Sequence, residues 1–191
     1  MALYSKSFIK MKKALLIVDV QNDFCPGGAL GVKDGDKVVP VINSIIDKFD
    51  FVISSQDWHP ENSVHFQNWP PHCVAHTHGA DLHPDLQKEK INLKLLKGTA
   101  NKDDGYSAFE ATNTSLAGFL HENKVINLYV CGLTTDYCVK ASALDAANEG
   151  FHTYVITDAT KPVNANPGDD KKALQEMYQA GCTLLESGEI R

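Results

Sequence analysis

Short apolar runs and amphipathic segments alternate along most of the chain. Residues 14–18 (ALLIV) form a continuous apolar run, which is typical of a strand buried on both faces of a sheet. In residues 36–49 the apolar positions recur at three- and four-residue steps, which predicts a helix. The same two patterns predict further strands at residues 51–55, 92–96, 125–131, 153–157 and 182–185, and further helices at residues 114–122, 138–148 and 169–180.

The alternation of strands with helices predicts a single α/β domain. Strands that are separated by helices form a mainly parallel sheet with helices on both faces, the doubly wound or Rossmann-like arrangement. Thr114 or Ser115 is suited to cap the helix at residues 114–122. We assign residues 13–191 to the domain, and residues 1–12, which show no pattern, to an N-terminal extension.

One stretch, residues 56–91, interrupts this alternation. It holds four prolines, both tryptophans and six of the chain's eight histidines. Long irregular insertions in compact domains are usually either functional or disordered, and the concentration of histidine and tryptophan favours function. We therefore expect a metal-binding insertion at about residues 56–91.

Composition excludes several functional classes. The 191 residues are 43% hydrophobic and 22% charged, which is ordinary for a globular domain. A net charge of -6 argues against a broad nucleic-acid surface, and no apolar run reaches the roughly 20 residues of a membrane helix. Five scattered cysteines predict free thiols in a reducing compartment. We expect a cytoplasmic protein that acts on a small molecule.

Polar side chains follow several of the predicted strands. Asp19 comes after the first strand, Asp57 and His59 after the second, Lys97 after the third, and the turn at 132–138 after the fourth. In open parallel sheets, ligands bind beyond the carboxyl ends of the strands. The sequence therefore predicts that a carboxylate, a pair of metal-type ligands, a lysine and a cysteine meet at one edge.

Cys138 is the candidate nucleophile, because it lies in the turn between a strand and a helix. A helix N-terminus lowers the pKa of a nearby thiol, and its free N–H groups can hold an oxyanion. A buried core thiol is the competing interpretation, and for Cys138 alone the two are evenly balanced. For the other four cysteines we expect core packing: Cys25, Cys73, Cys131 and Cys182.

Two charged residues are candidates to act with this thiol. Asp19 ends an apolar strand, where a carboxylate is costly unless it is paired or lies in a cleft, and it could accept the thiol proton. Lys97 could pair with both Asp19 and the thiolate, although a solvated surface lysine is the default.

The insertion supplies candidate metal ligands. Asp57, His59, His65 and His72 offer oxygen and nitrogen atoms that suit Zn(II), Fe(II) or Mn(II), so we expect one divalent metal ion. Spacing alone does not exclude three other histidines as metal ligands: His76, His78 and His83.

With these motifs in order, the chain resembles the nicotinamidase/pyrazinamidase branch of the isochorismatase-like cysteine hydrolases. The resemblance covers nearly all of residues 13–185. The segments that carry it are DVQNDF at 19–24 with CPGGAL after it, QDWHPENSVHF at 56–66, WPPHCV at 69–74, KGT at 97–99 and GLTTDYCV at 132–139.

The resemblance implies an amidohydrolase that converts nicotinamide to nicotinate and ammonia, in NAD salvage, through a cysteine thioester. It implies a catalytic triad of Asp19, Lys97 and Cys138. It also implies metal ligands at Asp57, His59 and His72, with His65 as the fourth and Ser63 or water as the alternative. Whether the protein forms a homo-oligomer is left open by the sequence.

Further site features follow from the same resemblance. A cis peptide is implied at Leu133–Thr134, where it would aim the Thr134 N–H, beside that of Cys138, at the oxyanion. Candidates to pack the flat ring of the substrate are Phe24, Trp69, Tyr106 and Tyr137, with core packing as the alternative for each.

Three other functions compete. A related amidase for a ureido or carbamoyl compound would keep the triad but need no metal set. An isochorismatase would not need the cysteine. A non-catalytic doubly wound domain that binds a nucleotide predicts a GxGxxG loop after the first strand, and the Gly27-Gly28 pair does not have that spacing.

Overall fold

The structure, a computed structural model, describes residues 11–191 and contains one six-stranded sheet. All neighbouring strands are parallel, in the order β3-β2-β1-β4-β5-β6. The strands are β1 (Lys12–Val18), β2 (Phe51–Asp57), β3 (Leu93–Lys97), β4 (Val125–Leu133), β5 (His152–Lys161) and β6 (Thr183–Leu185). This is the strand order of a Rossmann-type fold, so the predicted α/β class is confirmed.

Helices cover both faces of this sheet. They are α1 (Val38–Ile45), α2 (Leu116–Glu122), α3 (Lys140–Asn148) and α4 (Asp169–Gln179). Alternate residues of β1 face opposite ways: Leu15 and Ile17 join the core that includes α1, whereas Leu16 and Val18 join the core that includes α2, α3 and α4. The doubly wound arrangement follows from this two-sided apolar strand.

Several element boundaries differ from those predicted. The predicted helix at 36–49 is α1 extended by 3-10 turns at Gly35–Lys37 and Ile46–Lys48. Ser115, not Thr114, caps α2, since its side chain accepts the N–H of Gly118. β1 begins at Lys12, one residue before the predicted start of the domain, and residues 1–10 of the predicted extension lie outside the described residues.

The insertion contains short 3-10 helices at Val64–Gln67, His78–Ala80 and Lys88–Lys90. It lies against the ends of the central strands. The Gln21 side chain, just after β1, donates to the carbonyl oxygens of Asp57 (2.9 Å) and Ala80 (2.8 Å) and accepts the Asp57 N–H (2.8 Å). One buried amide therefore joins β1, β2 and the insertion, and the insertion is held over the carboxyl edge of the sheet.

β1 and β4 lie side by side at the centre of the sheet, where the strand order reverses. This crevice is the usual ligand site of such folds. Gly132, near the end of β4, has φ of 108°, and a Cβ atom added there would lie 2.1 Å from the carbonyl oxygen of Val18. Glycine is therefore required for the two strand ends to approach this closely. Among residues 11–191, no helix is both long and apolar enough to cross a membrane.

Replacing Gly132 with alanine is expected to lower the free energy of unfolding by about 3 kcal/mol, because positive φ and a backbone clash act together. Gly150 is the matched control, since its φ is +88° but an added Cβ would meet nothing within 4 Å. Gly150→Ala should cost only about 1 kcal/mol. Urea denaturation measures both variants, and equal losses would show that the β1–β4 contact tolerates a Cβ atom.

Candidate active site

Asp19, Lys97 and Cys138 meet at the carboxyl edge of the sheet. The Lys97 side chain is fully buried, and its Nζ lies 2.8 Å from Asp19 Oδ2 and 3.6 Å from Cys138 Sγ. The same ammonium contacts Asp57 Oδ1 and donates to the carbonyl oxygen of Gly105 at 2.6 Å. A carboxylate oxygen of Asp19 and the Cys138 sulfur lie within 4.8 Å of each other. These residues form one contiguous buried polar group.

The backbone after β1 orients Asp19. Its φ of 48° turns the chain sharply at the strand end, and its N–H still donates to the carbonyl oxygen of Ser55 in β2 (3.2 Å). The Ser55 hydroxyl donates to Asp19 Oδ1 at 2.8 Å. One carboxylate oxygen is therefore held by β2, and the other faces Lys97.

The charges of this group are set by burial and by one another. Burial lowers the pKa of Lys97, but Asp19 and Asp57 outweigh it and hold that pKa well above its usual range. Burial raises the pKa of Asp57, but the ammonium of Lys97 and then His59 bring it below its usual range. Burial raises the pKa of Asp19 to about 6, although Lys97 opposes the rise. Asp19 is thus the carboxylate able to exchange a proton near neutral pH.

The predicted low pKa of the Cys138 thiol is wrong for this resting state. Cys138 lies in a π-helical turn, Thr135–Val139, and α3 begins only at Lys140. Burial raises the pKa of the Cys138 thiol well above its usual range, and Lys97 offsets only part of this. The sulfur therefore rests as a thiol, and it needs a proton acceptor beside it to become a nucleophile.

Three histidines of the insertion face one another next to this group. One ring nitrogen from each of His59, His65 and His72 lies within 4.8 Å of the other two, and all three residues are buried. Asp57 Oδ2 is 3.7 Å from His59 Nε2 and 3.8 Å from His72 Nε2. The three ring nitrogens thus lie close together with the Asp57 carboxylate beside two of them, and nitrogen and oxygen donors of this kind suit a divalent transition metal.

The opposite ring nitrogens of these histidines are already engaged. His59 Nδ1 lies 3.1 Å from the carbonyl oxygen of Gly98, and His72 Nδ1 lies 2.7 Å from that of Pro70. His65 Nδ1 lies 2.7 Å from Asp103 Oδ1. Hydrogen-bonded Nδ1 atoms leave Nε2 as the electron-pair donor, the usual pattern around metal-bound histidine. His59 Nε2 is buried without a hydrogen-bond partner, so the residues fit a metal ion.

The competing candidates lie elsewhere, and His83 Nδ1 accepts the N–H of Asp85 at 3.3 Å. His76 packs edge-on against the ring of Trp58, with 5.2 Å between ring centroids, and His78 lies beside the side chain of Asn22. Ser63 caps the 3-10 helix Val64–Gln67, because its hydroxyl accepts the N–H of His65. Of the alternatives considered for the fourth position, His65 is the side chain that joins His59 and His72.

A cleft of about 420 Å³, partly open to solvent, connects the cysteine group with the histidines. Cys138 and Thr134 line one part of its wall, and Asp57 and the three histidines line another. All four predicted aromatic residues also line it: Phe24, Trp69, Tyr106 and Tyr137. The Trp69 ring meets that of Tyr137 edge-on, and its Nε1 donates to the Tyr106 hydroxyl at 3.0 Å. The peptide between Leu133 and Thr134 is cis.

Comparison with known proteins decides the family. The isochorismatase domain model matches residues 13–189. The chain belongs to the isochorismatase family. The nicotinamidase of Escherichia coli (strain K12) is 42% identical over 199 residues, covering 90% of this chain and 93% of that protein.

Solved structures of this family agree with the fold. The pyrazinamidase of Pyrococcus horikoshii in complex with zinc is 42% identical, has a TM-score of 0.83, and matches 92% of this chain and 99% of its own. PnC1 from L. infantum in complex with nicotinate is 38% identical, has a TM-score of 0.87, and matches 93% and 94% respectively. The family indicated by the sequence motifs is therefore confirmed.

Several residues of this isochorismatase-family site were not identified from sequence. Asp136 is buried, and its carboxylate accepts the N–H groups of Val163 (2.9 Å) and Asn164 (2.8 Å). Val163 and Leu30 add apolar surface to the cleft. The partners of Asp136 are about 27 residues away along the chain, and no local sequence pattern predicts such a contact.

Proposed function

We propose that this protein is a nicotinamidase, also active on pyrazinamide, that hydrolyses nicotinamide to nicotinate and ammonia in NAD salvage. The observation that carries the proposal is the cleft itself. It has aromatic walls, a cysteine with a carboxylate and an ammonium at one part, and a cluster of metal-type ligands at another. A flat aromatic amide bearing a ring nitrogen suits both parts at once.

The reaction begins with proton transfer inside the buried group. Asp19 accepts the Cys138 proton, and Lys97 stabilises the thiolate that results. The sulfur then attacks the carboxamide carbon, and the carbonyl π electrons move onto oxygen. The N–H groups of Thr134 and Cys138 stabilise this oxyanion. Asp19 returns its proton to the leaving nitrogen, so the C–N bond breaks and ammonia departs.

The second half of the reaction regenerates the thiol. A water molecule loses a proton to Asp19 and attacks the thioester carbon. The C–S bond breaks, nicotinate forms, and the sulfur regains the proton from Asp19. A single carboxylate with a pKa near neutrality is suited to both directions of transfer, and the pKa of about 6 for Asp19 meets this need.

Asp57, His59, His65 and His72 would hold one divalent metal ion, for which zinc, iron and manganese are the candidates. When bound, the ion supplies a Lewis-acid site for the pyridine nitrogen, which orients the ring. Phe24, outside the ligand set, packs against His72 with 5.4 Å between ring centroids. The aromatic side chains would hold the ring so that its amide faces the sulfur.

No feature of residues 11–191 specifically favours either of the competing functions. The activity of a carbamoyl or ureido amidase would need Asp19, Lys97 and Cys138, but it would not explain why three buried histidines lie close together. A non-catalytic binding domain gives no reason for a lysine buried among two carboxylates and a thiol. All five cysteines are free and buried, as in proteins of a reducing compartment, and we place the enzyme in the cytoplasm.

The test is ammonia release from nicotinamide, with nicotinate measured in the same sample by chromatography. We expect one nicotinate for each ammonia. Benzamide, which lacks the ring nitrogen, is the matched substrate and should react more slowly. Ammonia from an N-carbamoyl amino acid but none from nicotinamide would replace the proposed activity by that of the carbamoyl amidase.

Metal removal is expected to lower kcat/KM for nicotinamide by at least about 10-fold, because the ring loses its positioning contact. The measurement is turnover after chelation and dialysis, followed by addition of Zn²⁺, Fe²⁺ or Mn²⁺ in turn. Benzamide turnover is the control, since it should change little. Undiminished nicotinamide turnover in metal-free enzyme would remove the ion from the mechanism.

A further inference from the structure

Asp103 differs from the other groups behind the three histidines. The Nδ1 acceptors of His59 and His72 are backbone carbonyl oxygens, whereas that of His65 is the Asp103 carboxylate at 2.7 Å. A carboxylate is a stronger acceptor than a carbonyl, and the hydrogen bond that it receives is charge-assisted when the ring becomes more positive. His65 is therefore the histidine whose orientation depends on a side chain.

The Asp103 carboxylate is itself held in place. Its Oδ2 accepts the side-chain amide of Asn68 at 2.7 Å, while its Oδ1 faces His65. A second link lies beside it, because Asn101 Oδ1 accepts the N–H of Val64 at 2.8 Å. Residues 98–107 are thus joined to the 3-10 helix that carries His65. Since Gly105 and Tyr106 line the cleft, the same segment also forms part of the substrate wall.

We propose that Asp103 is a positioning residue for the metal, acting through His65. It accepts the Nδ1 hydrogen of His65, so that Nε2 carries the electron pair and is left to bind the ion. This inference rests on the metal site of the proposed function. It goes further in assigning to Asp103, a residue of the 98–107 segment, part of the affinity for the ion.

The test uses Zn²⁺ as the probe and measures its affinity by competition with a chromophoric chelator. Asp103→Ala should weaken Zn²⁺ binding about 10- to 100-fold, the usual range for loss of an outer partner of a metal ligand. Asp103→Asn, which keeps an acceptor oxygen, should recover most of the affinity. The matched control is Glu61→Ala, because Glu61 is an exposed carboxylate between His59 and His65. It should keep wild-type affinity.

A double-variant cycle separates positioning from a general structural effect. In a His65→Ala background, Asp103→Ala should cause no further loss of Zn²⁺ affinity, because the group through which it acts is absent. Melting temperatures in chelator should be the same for wild type and Asp103→Ala, since the Asp103 side chain is 42% exposed. Zn²⁺ should raise the melting temperature of the variant less than that of wild type.

Two results would overturn the proposal. One is wild-type Zn²⁺ affinity in Asp103→Ala. The other is that Asp103→Ala weakens Zn²⁺ binding as much in the His65→Ala background as it does when His65 is present. Neither result bears on the nicotinamidase activity, which is measured separately as ammonia release by the wild-type enzyme. A wild type that binds Zn²⁺ but releases no ammonia would leave Asp103 in its role and remove the proposed function.

Discussion

Replacing Cys138 with alanine is expected to lower kcat for nicotinamide by about 10⁴-fold or more, as loss of a covalent nucleophile generally does. The reason is that every later step of the proposed reaction passes through the thioester. The aromatic walls and the histidines would remain, so nicotinamide should still bind. The measurement is steady-state ammonia release, together with binding of nicotinamide to the inactive variant.

Cys182→Ala is the matched control for this experiment. Cys182 is also a buried thiol, but its Sγ lies 3.6 Å from the carbonyl oxygen of Ala143, away from the cleft. We expect some loss of stability and nearly unchanged kcat. Mass spectrometry of acid-quenched enzyme should show a nicotinoyl adduct in wild type and Cys182→Ala, and none in Cys138→Ala. Wild-type turnover by Cys138→Ala would refute the nucleophilic role.

The strand ends could be predicted from sequence because buried parallel strands are nearly continuous apolar runs. Asp19 follows such a run directly, whereas Lys97 ends β3, a less apolar strand of sequence LKLLK. Once the strands are parallel, their carboxyl ends meet at one edge, so the convergence of Asp19, Lys97 and Cys138 needed no knowledge of side-chain contacts. This part of the site is a consequence of topology.

The state of Cys138 could not be predicted in this way. Its turn is π-helical because the Val139 N–H donates to the carbonyl oxygen of Thr134, five residues back, at 3.0 Å. That choice between helix types depends on packing around the turn and not on residue type. The burial that raises the thiol pKa comes from distant segments folded over the sulfur. Position at a strand–helix junction therefore indicated Cys138 as a candidate nucleophile but gave the wrong direction for its resting pKa.

The contacts around the histidines could not be predicted from the sequence either. Asp103 meets His65 across 38 residues and Gly98 meets His59 across 39, and neither contact belongs to a regular element. Spacing alone left His76, His78 and His83 as equal competitors. The two sets of histidines differ in the direction of their side chains, because only side chains that turn away from the surface can converge on one point. The family resemblance, not periodicity, selected His59, His65 and His72.

Replacing Lys97 with methionine is expected to lower the free energy of unfolding by about 3–5 kcal/mol, because it leaves buried carboxylates without their counter-charge. Lys97 contacts both Asp19 and Asp57 and is fully buried. The pKa of Asp19 should rise further, so that it already holds a proton at neutral pH. It then cannot accept the Cys138 proton, and kcat should fall by about 10²-fold or more.

The loss of stability should depend on pH in a defined direction. A carboxyl group whose pKa is raised in the folded protein binds more protons folded than unfolded, so stability falls as pH rises. Burial already raises the Asp19 pKa to about 6, and the variant raises it further. The deficit of Lys97→Met relative to wild type should therefore be smaller at pH 5 than at pH 8. Urea denaturation at the two pH values measures this difference.

Lys94→Met provides the matched control, since Lys94 lies on the same strand but is exposed. A surface substitution of this kind should change the free energy of unfolding by less than about 0.5 kcal/mol at either pH. If Lys97→Met were equally harmless, Asp19 and Asp57 would not need the ammonium. If it were destabilising but equally so at pH 5 and pH 8, the loss would come from packing of the aliphatic chain. Only a deficit that grows with pH ties the stability of the fold to the same charge that would stabilise the thiolate in the proposed reaction.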